Sequence, residues 1–201
     1  TNPRRINHEQ LRTLAKKAKG SIDKLYLHWT GLPYGQVFDD YHINIDEHGE
    51  IYLTCNTLSD RKEHTWHRNS RAIGITLCCA GGTVLNYHWQ PVHAGYPPTE
   101  LQVEQMAIVI AILCRELELE ISFTSVKTHA EAALLDGYGP GQNDPDMRWD
   151  LLRLSGLPET RALRPGGELL QKKALAYSEK MLIAQLVKHS EEVQQPELLK
   201  A

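Results

Sequence analysis

The sequence predicts an α/β fold: a mixed central β-sheet flanked by helices, followed by a C-terminal helical extension. Three observations carry this. Residues 72–79, AIGITLCC, form a short and nearly all-apolar run, as a strand buried on both faces requires. Residues 97–120 open with two prolines and Thr99, an N-cap residue, and then place apolar side chains at Leu101, Met106, Val109, Ile110 and Leu113, which is the pattern of a long core helix. The predicted order of elements does not alternate cleanly between strand and helix, so the sheet is expected to be mixed rather than all parallel.

The other elements follow in chain order. Residues 7–20, NHEQLRTLAKKAKG, read as an amphipathic helix with Leu11, Leu14 and Ala15 on one face, lysines on another and Gly20 as the stop. Residues 23–30, DKLYLHWT, set Leu25, Leu27 and Trp29 against Tyr26 and His28, the period of a strand. Residues 40–54 are two alternating runs around Glu47, His48 and Gly49, where the glycine supplies the positive φ of a tight hairpin turn. Residues 121–131, ISFTSVKTHAE, read as a strand ending at His129, then a polar loop and a short helix from about 145 to 154.

After Leu157 the texture changes. Pro158, Pro165, Gly166 and Gly167 break the chain, and residues 168–192 read as a helix with a thin apolar stripe and many charges. The expected organisation is therefore a catalytic domain over 1–156, with a linker and helical extension over 157–201.

Composition excludes several classes. At 201 residues the chain can bury a full single-domain core. A net charge of -3 gives no global basic field, so no nucleic-acid partner is expected. No run approaches the roughly 18 apolar residues of a membrane span. The four cysteines lack CxxC spacing and are expected to be buried free thiols. The chain opens at Thr1 rather than Met, so a processed or trimmed polypeptide is expected.

Polar residues gather where chemistry is expected. His28 and His129 both fall at the C-terminal ends of predicted strands, where loops and strand ends build open catalytic metal sites. Asp144, in the loop after His129 and just before Pro145, offers a carboxylate. Two histidines and one carboxylate, with a fourth position for water, make a hydrolytic zinc site. Asp144 also suits a helix cap, and Asp136 is the rival carboxylate, nearer to His129 but without the following proline. Asp146 and Asp150 read as capping or decorating the short helix. In residues 63–70, EHTWHRNS, the side chains of His64, Trp66, His67 and Asn69 are candidates to line a binding groove.

Five fragments stand in a recognisable order: LYLHWTG, DYHINIDEHGEIY, NSRAIGITL, PTELQVEQM and TSVKTHAE followed by DPDMRWDLL. Over residues 24–154 the chain resembles the zinc-dependent N-acetylmuramoyl-L-alanine amidases, the family that is similar to phage lysozyme-type amidases and to peptidoglycan recognition proteins. The resemblance implies one Zn²⁺ on His28, His129 and Asp144. It implies that Tyr41 orients or polarises the attacking water or the oxyanion. Many members carry a lysine two residues before the third ligand; Gln142 stands there here and would donate a hydrogen bond without a charge. The implied substrate is peptidoglycan or a muropeptide, cut between N-acetylmuramic acid and L-alanine, with Trp66 stacking on a sugar face. Action on the bacterial cell wall follows, by a phage-encoded or exported enzyme. The alternative is a recognition module that binds muropeptide without cutting it.

Overall fold

A computed structural model of the chain describes residues 2–86, 90–139, 149–154 and 164–193. Its centre is a six-stranded sheet built from β1 (Arg4–Ile6), β2 (Lys24–Trp29), β3 (Ile43–Ile45), β4 (Ile51–Leu53), β5 (Ala72–Leu77) and β8 (Val126–Thr128). The spatial order is β1-β4-β3-β5-β2-β8. β2 runs parallel to both β5 and β8, and β3 parallel to β5, whereas β4 is antiparallel to β3 and to β1. The sheet is thus mixed, as expected, with the 40–54 hairpin supplying its antiparallel part. A separate two-stranded ribbon pairs β6 (Val84–Leu85) with β7 (Pro91–Val92).

Strand alternation divides the sheet into two chemically distinct faces. Leu25 and Leu27 of β2, Ile73 and Ile75 of β5 and Ile43 and Ile45 of β3 are fully buried and share one apolar cluster. That cluster includes Leu11 and Ala15 of α1 (His8–Ala18) and Met106, Val109, Ile110 and Leu113 of α2 (Glu100–Leu117). Each such side chain contributes about 1.5–3 kcal/mol by leaving water. With this face supplying the stability, the opposite parity is free to carry polar groups: Tyr26 lies opposite Gly74, and His28 and Asn44 both lie opposite Thr76.

Local chemistry sets the helix ends. Asn7 caps α1 in a reciprocal box with Gln10, and Thr99 caps α2 in the same way with Gln102. Leu101, expected on the core face, is 60% exposed, because the buried stripe of α2 begins one residue later at Gln102. The cysteines are free and buried, as expected.

Two departures bear on the site. The chain after β8 does not loop at once: α3 (His129–Asp136) begins at His129 itself, capped by Thr128 in a box with Glu131 and closed by Gly137. The short helix expected over 145–154 is not seen in its described part, 149–154, which carries turns and bends only. The C-terminal helix α4 (Pro165–Val193) forms where a helix was expected. Its first half packs against α2, with Leu170 and Ala174 buried and Lys173 and Tyr177 both on Glu104. From residue 182 to 193 it is exposed on all sides.

Candidate metal centre

The polar parity of β2 ends at His28, and β8 hands the chain directly to His129 in the first turn of α3. Residues 149–154 then cross above both. Asp150 Oδ2 lies 3.2 Å from His28 Nδ1, and its Oδ1 lies 3.4 Å from His129 Nδ1. One donor atom from each of the three residues can be chosen so that all lie within 4.8 Å of one another. Ligands about 2.0–2.1 Å from a tetrahedral zinc stand about 3.3 Å apart; each nitrogen–oxygen spacing matches that through a different carboxylate oxygen, and the one-atom-per-residue set, within 4.8 Å, would draw together around an ion. His28 is fully buried and Asp150 nearly so, while the His129 side chain is 12% exposed, which leaves access on the His129 side.

Protonation states suit a metal. Burial pushes the Asp150 carboxyl up, but the facing imidazoles of His129 and His28 outweigh it and hold it well below the usual carboxylate range. Burial pushes His28 down to about 4, against the opposing hydrogen bond to Asp150. At neutral pH the site therefore offers a carboxylate and a neutral imidazole, the forms that ligate metal ions.

His28 Nε2 lies 3.2 Å from Thr65 Oγ1. Asp150, His28 and Thr65 stand in the order of an acid–histidine–hydroxyl triad, yet Thr65 is only 1% exposed and its hydroxyl oxygen is also 2.9 Å from His64 Nδ1. No carbonyl carbon can approach it, so a threonine nucleophile is excluded on access.

Tyr41 lies beside the centre, its ring 4.9 Å from that of His28. Burial, then the charges of Asp150 and Asp40, push its phenol far above the ordinary value, so it stays a hydrogen-bond donor at neutral pH. Of the residues singled out in the sequence, His28, His129 and Tyr41 come together here. Asp144 and Gln142 lie outside the described residues. Asp136, the rival carboxylate, is held instead by a two-pronged pair with Arg68, both contacts 2.6 Å.

Asp150, read in the sequence as capping or decorating a helix, is the carboxylate that faces the two histidines. The available signal was its neighbours. Trp149 packs edge-on against Trp29, with ring centres 5.1 Å apart, and Leu151 is fully buried, so the segment is anchored in the core on both sides of Asp150. The Ala130 N–H donates to the Asp150 carbonyl at 3.4 Å. The start of α4 closes over the same segment: the Gly166 N–H donates to the Leu152 carbonyl at 3.1 Å, and a Cβ on Gly166 would stand 1.9 Å from the Leu151 carbonyl oxygen.

The 63–70 loop divides in two. Trp66 and His67 face outward; Trp66 is 53% exposed and meets Tyr138 edge-on at 5.3 Å, with Tyr138 in turn 6.2 Å from His129. They line a groove of about 340 Å³ with Arg61, Glu63, Asn69 and Ser70. His64 and Asn69, expected to contact a ligand, are each only 6% exposed. The Asn69 carboxamide oxygen accepts from the backbone N–H groups of His64 and Thr65, at 3.1 and 2.8 Å, and so shapes the loop from within. The His64 ring lies on β5, where a Cβ at Gly74 would come within 2.6 Å of it. Burial, then the neighbouring His28, His42 and His129, push His64 down to about 2.

Comparison with known proteins places these features in context. The family described as N-acetylmuramoyl-L-alanine amidase matches residues 10–146, more than half of the chain. Among solved structures the chain is similar to the N-acetylmuramoyl-L-alanine amidase LysC from Clostridium intestinale URNW, at 18% identity, covering 62% of this chain and 80% of that one, with a TM-score of 0.41. It is also similar to the endolysine N-acetylmuramoyl-L-alanine amidase LysCS from the same organism, at 19% identity, covering 62% and 78%, with a TM-score of 0.41. No curated protein matches the chain.

Proposed function

Because the chain belongs to the N-acetylmuramoyl-L-alanine amidase family, we propose that its amide hydrolysis is carried out at one Zn²⁺ held by His28, His129 and Asp150. The reaction splits the bond between the lactyl carbonyl of N-acetylmuramic acid and the nitrogen of L-alanine in peptidoglycan. Water supplies OH to the carbonyl carbon and H to the departing amine, so a carboxylic acid and a free amino terminus result.

The observation that carries the ligand assignment is the Asp150 carboxylate set between the two Nδ1 atoms, at 3.2 and 3.4 Å. A bound zinc ion supplies Lewis acidity, activating water near neutral pH and polarising the scissile carbonyl. The residues around it supply the rest. Tyr41, kept protonated, donates a hydrogen bond to the attacking water or to the oxygen on which charge develops. Trp66 and His67 form the exposed wall against which sugar or stem peptide packs.

With Asp150 as third ligand, the position two residues before it is Arg148 rather than Gln142. The family pattern of a lysine at that offset is then met by a permanent cation, suited to stabilising an oxyanion. Replacing Arg148 by Ala should cut kcat strongly, whereas Gln142→Ala should not; the reverse result would return the third-ligand role to Asp144.

A module that binds muropeptide without cutting it is the weaker reading, since His28, His129 and Asp150 form a complete donor set. Incubating purified sacculi with the protein and counting new alanine amino termini separates the two. We further assign residues 1–156 to the catalytic domain and 157–201 to a linker and helical extension whose first half buttresses it.

A further inference from the structure

We propose that Thr65 and His64 form a hydrogen-bonded brace behind the metal centre, which accepts a hydrogen bond from His28 Nε2–H, so holding the proton on Nε2 and leaving Nδ1 free to bind zinc. This rests on the ligand assignment above.

The argument is one of directionality. The Nδ1 atoms of His28 and His129 both face the Asp150 carboxylate, so Nδ1 is the atom through which His28 can reach an ion shared with the other two. A neutral imidazole that ligates through Nδ1 carries its hydrogen on Nε2. His28 is fully buried, so that hydrogen needs an acceptor in the protein rather than in water. Thr65 Oγ1, 3.2 Å away, is that acceptor.

A threonine hydroxyl that accepts from His28 still has its own proton to place. His64 Nδ1, at 2.9 Å, receives it. The result is a single-direction chain, His28 Nε2–H to Thr65 Oγ1, and Thr65 O–H to His64 Nδ1, which puts the His64 hydrogen on the buried Nε2, toward the Ala72 backbone but outside normal hydrogen-bond geometry with any described acceptor. Without this chain the Asp150 carboxylate would draw the proton of His28 to Nδ1, the atom the metal needs.

The surrounding backbone is built for the brace. The 2.6 Å separation between a Cβ at Gly74 and the His64 ring means that only glycine leaves the ring its place on β5. Asn69 fixes the two residues together by accepting from both of their backbone N–H groups. Partners that orient a metal-ligating histidine through its second nitrogen typically change metal affinity by roughly 10–100-fold when removed.

The test compares the native chain, Thr65→Val and Thr65→Ser, each titrated with zinc in competition with a chelator. The imidazole nitrogens of His28 and His64 are followed by ¹⁵N NMR in the zinc-loaded native protein. The brace predicts Nε2–H tautomers for both histidines, an affinity loss of roughly 10–100-fold in Thr65→Val, and an affinity within about 3-fold of native in Thr65→Ser, which restores the hydroxyl. Native-like zinc affinity in Thr65→Val, or His64 in its Nδ1–H tautomer, overturns the brace while leaving the metal site intact. Failure of the native chain to bind zinc overturns the ligand assignment and the brace with it. The tautomer measurement on the native protein decides the matter even if Thr65→Val does not fold.

Discussion

Asp150 and His28 are 122 residues apart in the chain, yet Asp150 Oδ2 lies 3.2 Å from His28 Nδ1. The contact joins a strand end to a segment wedged into the core by Trp149 and Leu151. A buried carboxylate facing two imidazoles is held in tension between its own desolvation and their attraction, and a divalent cation among them would satisfy all three.

Zinc should therefore stabilise the fold by mass action. At a free zinc concentration 100 times the dissociation constant the gain is about 2.7 kcal/mol. Thermal unfolding with and without added zinc should show this shift in the native chain, and chelation should remove it together with amidase activity. In His28→Ala the midpoint should not respond to zinc.

Tyr41→Phe separates binding from chemistry. The ring stays 4.9 Å from His28, so packing is preserved, but the donor is lost. By comparison with the loss of one oxyanion donor, kcat should fall roughly 10²–10³-fold. Zinc affinity should be unchanged; a parallel loss of zinc would mean that Tyr41 acts on the metal site instead.

Much of the scaffold was legible in the sequence because its signals are local. The two-residue period of residues 23–30 and 40–54 and the apolar run at 72–79 identify strands whose partners need not be known. The same holds for the Thr99 cap of the long helix. That His28 and His129 come together was legible because both fall at the ends of strands in one sheet. The approach of Asp150 was not, since it depends on Trp149 and Leu151 packing into a core formed by distant parts of the chain. Asp144 looked the better ligand for its following proline and the helix expected beyond it, although Asp136 stands nearer to His129 in the chain. The helix starting at His129 did have a local signal, the Thr128-x-x-Glu131 capping box, which the expectation of a loop passed over. The inward turn of His64 was hidden because it depends on Gly74 in β5.

The start of the C-terminal helix should matter to the metal centre although it lies outside the matched family region. In Gly166→Ala the new methyl group would collide with the Leu151 backbone, so α4 or the Asp150 segment must move. Overpacking of this kind costs about 1–3 kcal/mol. Denaturant unfolding should show that loss, and zinc affinity should fall with it. An unchanged zinc affinity would show that α4 does not set the position of Asp150.

The Arg68–Asp136 pair ties the 63–70 loop to the end of α3. The hydrogen bonds from Arg68 hold the Asp136 carboxyl below the usual range, burial opposing them. Its folded pKa is thus lower than the unfolded value of about 3.9. The stabilisation is present above about pH 4 and is lost as pH falls through the folded pKa. Both side chains are a quarter exposed, so the effect should be no more than about 1 kcal/mol. Urea unfolding of Asp136→Asn should show a deficit at pH 7 that narrows as pH is lowered below about 4, through the folded pKa of Asp136.

The central claim is that Asp150 completes the metal site. Zinc content measured per chain, alongside mass spectrometry of digested muropeptides, tests it in the native protein, Asp150→Asn and Asp144→Asn. We predict one zinc and alanine-terminated products for the native protein and for Asp144→Asn, with both lost in Asp150→Asn. Native zinc content and activity in Asp150→Asn, with both lost in Asp144→Asn, would contradict the account.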